Sequence, residues 1–274
     1  MSYCFDKTAV ADFRALLACL MGKALRSPFR STVPLLSLME HSPSDWGALL
    51  QAWGAPAHVA VHVEYGVASP KPGGNPSQTD AMLIAEGAIG VWAVEAKWTE
   101  PLDMKTVAKR ISKPESDGAV PKVTVEGWLE HIRPYATDAL ELGAFGGVVY
   151  QMLHRAASAC AVASARGCRP QLVYLHFCPS PDRRSAATAQ YVADLMHLRS
   201  LIGNAAGFPF RVVKMPLACT PASVAIQGLD KREPASVAQV KAALAGGPLF
   251  TFGMPVTKLL IDSFWVIDYN PYDQ

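Results

Sequence analysis

The chain has 274 residues, of which 50% are hydrophobic and 18% are charged, a composition too apolar for a disordered protein. Its 25 Lys and Arg residues nearly balance 23 Asp and Glu residues, which leaves a formal net charge of +2. No global basic field therefore indicates a nucleic-acid partner, and any phosphate-binding surface must be local. The six cysteines form no C-x-x-C pair, which disfavours a zinc ribbon and a thioredoxin-type site.

The sequence shows neither a targeting segment nor a membrane span. The apolar stretch at 16–22 follows Asp6, Asp12 and Arg14, so it lacks the basic start of a secretory signal peptide. No uncharged apolar run reaches the roughly 18 residues that a spanning helix needs. We therefore expect a soluble, cytoplasmic protein in which residues 1–274 form a single α/β domain.

Apolar periodicity and turn residues predict helices and strands in alternation along the chain. Spacings of three and four predict helices at 6–26, 34–41, 44–53, 123–133, 145–166, 185–201 and 234–245. Segments rich in β-branched residues predict strands at 58–67, 79–85, 90–98, 171–178, 211–217 and 259–269. The charged segment 99–122 is broken by prolines and predicts a helix of one to three turns inside an irregular insertion. We thus divide the domain into an N-terminal helix within 1–33, a core at 34–178 and an extension at 179–274.

The strands at 79–85 and 90–98 are separated by a short segment with a glycine, which predicts a hairpin. A turn symmetric about residues 87 and 88 places Asp80 directly opposite Glu95, with Cβ atoms about 4.5–5.5 Å apart. Because side chains alternate along a strand, Lys97 shares a face of the sheet with Glu95. The other face of the second strand is wholly apolar, from Trp92 to Trp98, so we expect this strand to be buried on both sides.

This arrangement of charges has two interpretations. Two carboxylates aimed at one point suit a hard divalent cation such as Mg²⁺ or Mn²⁺, which lowers the pKa of a bound water and stabilises charge on a phosphate. A lysine two residues after Glu95 would orient that water or neutralise the transition state. The alternative is a buried salt bridge, in which Lys97 neutralises one carboxylate and the other faces solvent. The spacing alone does not decide between them.

Thr79-Asp80, followed across a hairpin by Glu95-Ala96-Lys97, resembles the PD-(D/E)XK nuclease superfamily, which has the restriction-endonuclease-like fold. The stretch EAKWTE at 95–100 looks like the E-x-K-Y-T-E segment of some bacterial restriction-endonuclease-like families. The resemblance implies a restriction-endonuclease-like core with a central mixed sheet, three antiparallel strands plus one more, flanked by helices. That order of elements agrees with the predicted order between 34 and 178. Thr79 stands where the family has proline, a departure that many members share.

By this resemblance, Asp80, Glu95 and the Ala96 carbonyl would bind Mg²⁺ or Mn²⁺. Lys97 would position the attacking water. Together these residues would hydrolyse DNA phosphodiesters by attack of a metal-activated water and leave a 5′-phosphate.

The family often adds an acid from the first core helix and a Gln or Tyr from the later helix. Glu40 is the acid by position, with Glu64 at the end of the first strand as its competitor; either is equally interpretable as a solvated charge. The candidates on the later helix are Tyr150, Gln151, His154 and Arg155. The alternative for these four is the polar face of an amphipathic helix.

Lys105, Lys109 and Lys113 recur every four residues, with Arg110 beside them. On a helix they would form one basic stripe suited to phosphate contacts, although a solvated face explains the same pattern. The loop at 72–76 contains no Walker or dinucleotide pattern, so we expect no nucleotide cofactor.

The sequence therefore predicts a Mg²⁺-dependent DNA nuclease that acts in defence, repair or mobile-element biology. A catalytically inactive fold that binds nucleic acid or protein is the second hypothesis, and a structural domain with a buried Asp/Glu/Lys cluster is the third. With a net charge of +2, the metal and a small basic patch would supply most of the attraction to DNA. A partner or a homodimer would supply the rest.

Overall fold

The strands of the protein were located in a computed structural model that describes residues 2–20, 22–25, 27–101, 103–112, 121–182, 185–203, 207–229, 234–260 and 266–269. In chain order the strands are β1 (Ser2–Phe5), β2 (Thr8–Ala9), β3 (Val59–Val67), β4 (Ser77–Ala85), β5 (Val91–Lys97), β6 (Pro170–Cys178), β7 (Phe210–Cys219), β8 (Phe250–Phe252), β9 (Val256–Leu260) and β10 (Val266–Tyr269).

These strands form a mixed sheet. Nine of the described strands lie in the order β10-β9-β7-β6-β5-β4-β3-β1-β2, and the short β8 pairs with β7. The run β3-β4-β5 is an antiparallel meander, whereas β5, β6 and β7 are parallel, and β1 is parallel to β3. β5 therefore lies near the middle of the sheet, where all seven of its residues are buried.

Helices cover both faces of this sheet. In chain order they are α1 (Phe13–Cys19), α2 (Gly22–Leu25), α3 (Thr32–His41), α4 (Pro43–Ala52), α5 (Val107–Ile111), α6 (Pro121–Ile132), α7 (Tyr150–Arg166), α8 (Thr188–Ile202), α9 (Pro221–Gln227) and α10 (Pro234–Gly246). Apolar side chains of α1–α4, α9 and α10 pack in the core on one face. Those of α5–α8 pack in the core on the other. No helix in the described part of the chain is long and apolar enough to cross a membrane.

The predicted fold class is confirmed as α/β with a mixed central sheet flanked by helices, but the sheet is larger than the four strands expected. The N-terminal region is also not simply helical, because residues 2–9 contribute β1 and β2. The helix begins only at Phe13, where the Asp12 carboxylate accepts a hydrogen bond of 2.8 Å from the Ala15 N–H. β1 is extended because it pairs with β3, more than fifty residues away, and such a partner leaves no local signal.

The end of β5 is fastened to the start of α3 by the Glu100 carboxylate. Its Oε1 accepts hydrogen bonds from the Ser31 N–H and hydroxyl, at 3.1 and 2.9 Å. Its Oε2 accepts from the N–H groups of Trp98 and Thr99, at 2.9 and 3.1 Å. Thr99 adds a hydroxyl bond of 2.6 Å to the Phe29 carbonyl. These bonds hold the chain in place directly after Lys97, so they also position the candidate site.

Replacing Glu100 by alanine is expected to lower the free energy of unfolding by about 1–3 kcal/mol, because four donors lose their acceptor. Urea denaturation measures the difference. Glu86→Ala, at an exposed position in the β4–β5 turn, is the matched control and should stay within about 0.5 kcal/mol of the parent protein. Equal effects of the two substitutions would contradict the role given to Glu100.

Candidate functional site

The β4–β5 hairpin brings Asp80 next to the end of β5. Its register is the predicted one, with Met82 paired to Ala93 and Ile84 to Val91. The pairing of β4 with β5 ends at Ala81, one residue before Asp80 would face Glu95. Asp80 instead accepts a hydrogen bond of 2.7 Å at Oδ2 from the Ala96 N–H. At this position the Asp80 carboxylate, and not a backbone carbonyl of β4, accepts the hydrogen bond from β5.

Glu95 is the centre of a buried network of charged side chains. Only 2% of it is exposed, and three donors reach its carboxylate. Lys97 Nζ and Gln151 Nε2 both donate to Oε1 at 2.8 Å, and Arg155 Nε donates to Oε2 at 2.5 Å. Gln151 also accepts from Lys97 Nζ at 3.0 Å, which closes a triangle of side chains between β5 and the first turn of α7.

Glu64 brings a third carboxylate to the same row of the sheet. The pairs on either side of it, Val63 with Ala81 and Tyr65 with Thr79, place it beside Asp80 on the neighbouring strand. Its backbone has a φ of 55°, an uncommon value for a residue with a Cβ.

The strand alternation changes at this kink. Val61 and Val63 before Glu64 lie in one core, and Tyr65 and Val67 after it lie in the other, although all four positions are odd-numbered. Strained backbone of this kind is concentrated at functional sites. Glu64, Asp80 and Glu95 consequently form an acidic row across three adjacent strands.

The charges shift the pKa values of the acidic row in opposite directions. Burial alone would raise the pKa of Glu95, but the charges and hydrogen bonds of Arg155 and Lys97 lower it to about 2. Burial and the neighbouring Glu95 charge raise the pKa of Asp80 well above its ordinary value, and the same two causes raise that of Glu64. Glu95 is thus a permanent carboxylate, whereas Asp80 and Glu64 lack enough positive charge around them.

Most of the predicted site residues on the hairpin and the later helix come together. Asp80, Glu95, Lys97 and Gln151 converge, and Ala96 takes part through its N–H. Arg155, for which the face of an amphipathic helix was the alternative, is buried in the network with 8% of its surface exposed.

Two of the supporting residues lie elsewhere. Glu40 is on α3, on the opposite face of the sheet, where it accepts a hydrogen bond of 2.9 Å from the Tyr3 hydroxyl. Of the two competing acids, Glu64 is therefore the one beside the site. Tyr150 is absent from the network around Glu95 and lines a neighbouring cavity, where its hydroxyl accepts from Trp128 Nε1 at 3.2 Å. The wrong placement of Glu40 arose because chain order does not reveal which face of a sheet a helix covers.

The predicted basic stripe at 105–113 is not a single helical face. α5 covers only Val107–Ile111, so Lys105 precedes the helix, and Lys113 lies outside the described residues. Lys109 is exposed and donates to the Met104 carbonyl at 3.2 Å. Arg110 lies over the Tyr150 ring at 5.5 Å instead of pointing to bulk solvent. The helix is short because Thr106 caps its start and pairs with Val149 in a β-bridge.

Two polar residues near the site were not found from the sequence. Ser77 on β4 accepts a hydrogen bond of 2.8 Å from Arg155, on the opposite side of the guanidinium from Glu95. Tyr174 on β6 is in register with Glu95, and its buried hydroxyl has no hydrogen-bond partner among the described residues. The sequence did not point to Ser77, because the predicted strand begins at residue 79 and leaves Ser77 in the preceding loop. Tyr174 lies in an apolar strand, where the sequence pattern predicts only that an aromatic side chain is part of the hydrophobic core.

The oxygen atoms of Asp80 and Glu95 are of the type that a divalent cation binds. No three side chains of His, Cys, Asp or Glu converge on one point within the described ranges, so a site with three such protein ligands is absent there. Mg²⁺, however, usually takes one or two carboxylates and keeps several waters. Asp80 Oδ1 has no hydrogen bond to the described residues, and three donors leave part of the lone-pair capacity of Glu95 unused. Asp80 and Glu95 therefore fit Mg²⁺, with the Tyr174 hydroxyl as a spare donor for water nearby.

The fold and site define an α/β protein with a buried cluster of acidic and basic side chains beside the end of β5. The chain belongs to the family described as a domain of unknown function (DUF6946), whose family model matches residues 8–217. The matched span contains every residue of the cluster, from Glu64 to Tyr174. No curated protein matches the chain, and no solved structure does.

Arg155→Met is expected to lower the free energy of unfolding by about 3–5 kcal/mol, because it leaves the buried Glu95 carboxylate with one cation fewer. Guanidinium denaturation measures the loss. Arg166→Met, at an exposed position in the last turn of α7, is the matched control and should change little. The double variant Glu95→Gln/Arg155→Met should lose less than the sum of the single variants. A loss no larger than that of Arg166→Met would contradict the ion pair.

Asp80→Asn is expected to raise the thermal stability of the metal-free protein increasingly as the pH rises. A carboxyl whose pKa is raised in the folded state stabilises the fold at low pH and loses that contribution between its ordinary pKa of 3.8 and its raised value. The amide keeps an acceptor for the Ala96 N–H and carries no charge. Melting curves at about pH 4 and about pH 8 should therefore diverge in favour of the variant. A variant that is less stable at both pH values would show that Asp80 is a structural ion-pair partner.

Proposed function

We propose that this protein is a Mg²⁺-dependent DNA nuclease of the PD-(D/E)XK type, with a restriction-endonuclease-like core. The convergence of Asp80, Glu95 and Lys97 with Gln151 at the end of β5 carries the proposal. The order of the elements supports the proposal, because helix, three antiparallel strands, helix and strand is the order that the sequence resemblance implies. In this chain those elements are α3–α4, β3-β4-β5, α7 and β6, and β6 is parallel to β5.

Lys97 acts as a fixed positive charge in this proposal. Burial alone would lower its pKa, but the charges of Glu95 and Asp80 outweigh that effect and raise it. The amine thus stays protonated, so it serves as a hydrogen-bond donor to the attacking water or to a phosphate oxygen, and not as a general base. Gln151 restricts where the amine can point, because it accepts a hydrogen bond from Nζ.

Asp80 and Glu95 are the residues that would hold the cation. When bound there, a divalent cation lowers the pKa of a coordinated water and offsets the charge that develops on the phosphate. Arg155 and Gln151 keep the Glu95 carboxylate in a single orientation through its hydrogen bonds, which limits the motion of one ligand. Asp80 is the less buried carboxylate of the pair, so the substrate would approach from its side.

The nuclease proposal is tested with purified protein, Mg²⁺ or Mn²⁺, and plasmid, linear duplex and single-stranded DNA. We expect Asp80→Asn and Lys97→Met each to slow cleavage at least about 100-fold, since each removes a group that acts on the reacting phosphate. Glu86→Gln removes an exposed charge from the same hairpin and should cut at the parental rate. The products should carry 5′-phosphates, which ligation detects.

One observation favours a second function, a binding module that uses the same fold without catalysis. Both oxygens of Glu95 are already occupied by donors of the protein, as in a purely structural ion-pair network. In that case the parent protein would cut DNA no faster than Asp80→Asn, and calorimetric titration with Mn²⁺ would give no heat. Salt-dependent DNA binding without cleavage would then support the binding module.

A further inference from the structure

A polar cavity of about 370 Å³ lies beside the network, between the loop before β4 and the helices α5, α6 and α7. Its wall includes Lys71, Ser77, Arg110, Trp128, Tyr150 and His154. The volume is in the range of small-ligand pockets. None of the site carboxylates lines it, so it is a separate compartment next to the candidate active site.

Three rings form one side of the cavity. The ring centroids of Tyr150 and His154 are 5.0 Å apart, and those of Trp128 and His154 are 6.2 Å apart. Burial and the neighbouring Arg155 lower the pKa of His154 to about 3, so the imidazole is neutral. Its Nδ1 lies within hydrogen-bonding distance of the Arg155 guanidinium, which can only donate, so the ring proton is on Nε2. The wall therefore offers aromatic surface with an uncharged imidazole.

Two cations complete the cavity. Lys71 comes from the loop before β4, and Arg110 comes from the end of α5. Arg110 Nε is buried and has no hydrogen-bond partner among the described residues, although its guanidinium lies over the Tyr150 ring. A buried donor without a partner costs free energy unless a ligand or water satisfies it. The cavity thus presents positive charge next to aromatic surface.

A glycine on α6 permits the loop that carries Lys71 to approach this helix closely. A Cβ on Gly127 would lie 2.3 Å from the Pro70 Cβ, so only glycine permits this approach. A Cβ on Gly74 would lie 2.5 Å from Ser69 Oγ, which indicates an equally tight turn within the loop. The loop that forms this wall of the cavity is therefore tightly packed, both against α6 and within itself.

Ser77 connects the cavity to the network. Its hydroxyl lies 2.8 Å from His154 Nδ1 and accepts a hydrogen bond from Arg155, which in turn binds Glu95. Only one side chain, that of Arg155, thus separates a cavity-lining atom from the central carboxylate.

We propose that the cavity binds one unpaired nucleotide of the substrate strand, with its base against Tyr150 and His154 and its phosphate between Lys71 and Arg110. The assignment to the substrate strand rests on the proposed nuclease function. A base that enters the cavity cannot remain stacked in a duplex, so the substrate class is single-stranded DNA or an end or junction with unpaired nucleotides. Stacking of a base on an aromatic side chain contributes about 1–3 kcal/mol.

The test measures binding in EDTA, where cleavage does not interfere, by fluorescence polarisation with a short single-stranded DNA, its duplex and free mononucleotides. We expect the single strand to bind at least about 10-fold more tightly than the duplex. Tyr150→Leu removes a ring but no charge and should weaken that binding about 5- to 150-fold, the range that corresponds to the stacking energy. It should not change the binding of an oligonucleotide of abasic residues.

Two charge variants distinguish binding in the cavity from nonspecific electrostatic attraction of DNA to the protein surface. Arg110→Ala should weaken single-strand binding, whereas Lys122→Ala removes an exposed charge of α6 outside the cavity and should have a much smaller effect. Equal effects of Arg110→Ala and Lys122→Ala, or unchanged binding by a folded Tyr150→Leu protein, would overturn the proposal. Free mononucleotides that bind as tightly as the oligonucleotide would overturn the assignment to a strand. Failure of cleavage with intact single-strand binding would remove the nuclease function and leave the cavity as a nucleotide site.

Discussion

The burial of one carboxylate in the centre of the sheet constrains the rest of the site. Glu95 lies on a strand that is covered on both faces, so its charge must be compensated by groups of the protein. Lys97 does this from the same strand, and Arg155 does it from α7. Because these contacts allow little freedom, they specify which face of α7 meets the sheet and therefore where Gln151 and the first turn of that helix lie.

Stability and function place different demands on the acidic row. Glu95 has more than one cationic partner, whereas Asp80 and Glu64 have burial and a neighbouring carboxylate acting against their ionisation. Like charges on adjacent strands destabilise a sheet unless other groups compensate them. The uncommon backbone of Glu64, next to Asp80, is a second local cost at the same place. Under the proposed function, a cation bound to the row would offset the first of these costs.

Under the proposed function, the cavity next to the row would give a nearly neutral protein a local site for a nucleotide. Its attraction does not depend on an extended basic surface, because Lys71 and Arg110 act at short range beside aromatic rings. Hydrogen bonds through Arg155 and Ser77 join this compartment to Glu95. The net charge of +2 is compatible with such local recognition.

The residues that form the site on β4 and β5 were predictable because period two and a short turn determine which side chains share a face. The hairpin register and the burial of β5 followed from local pattern alone. The prediction of most helices, such as α6 and α10, rested equally on local apolar spacing.

What only the tertiary structure decided depends on segments that are distant in the chain. The pairing of β1 with β3, the face on which Glu40 lies, the kink at Glu64 and the ion pair of Arg155 all require knowledge of what packs against what. Local sequence determines the periodicity of an element, but the burial of its faces is set by remote partners. For this protein, the amino-acid sequence therefore specified the chemical groups of the site, and the tertiary packing specified their charge states and the cavity beside them.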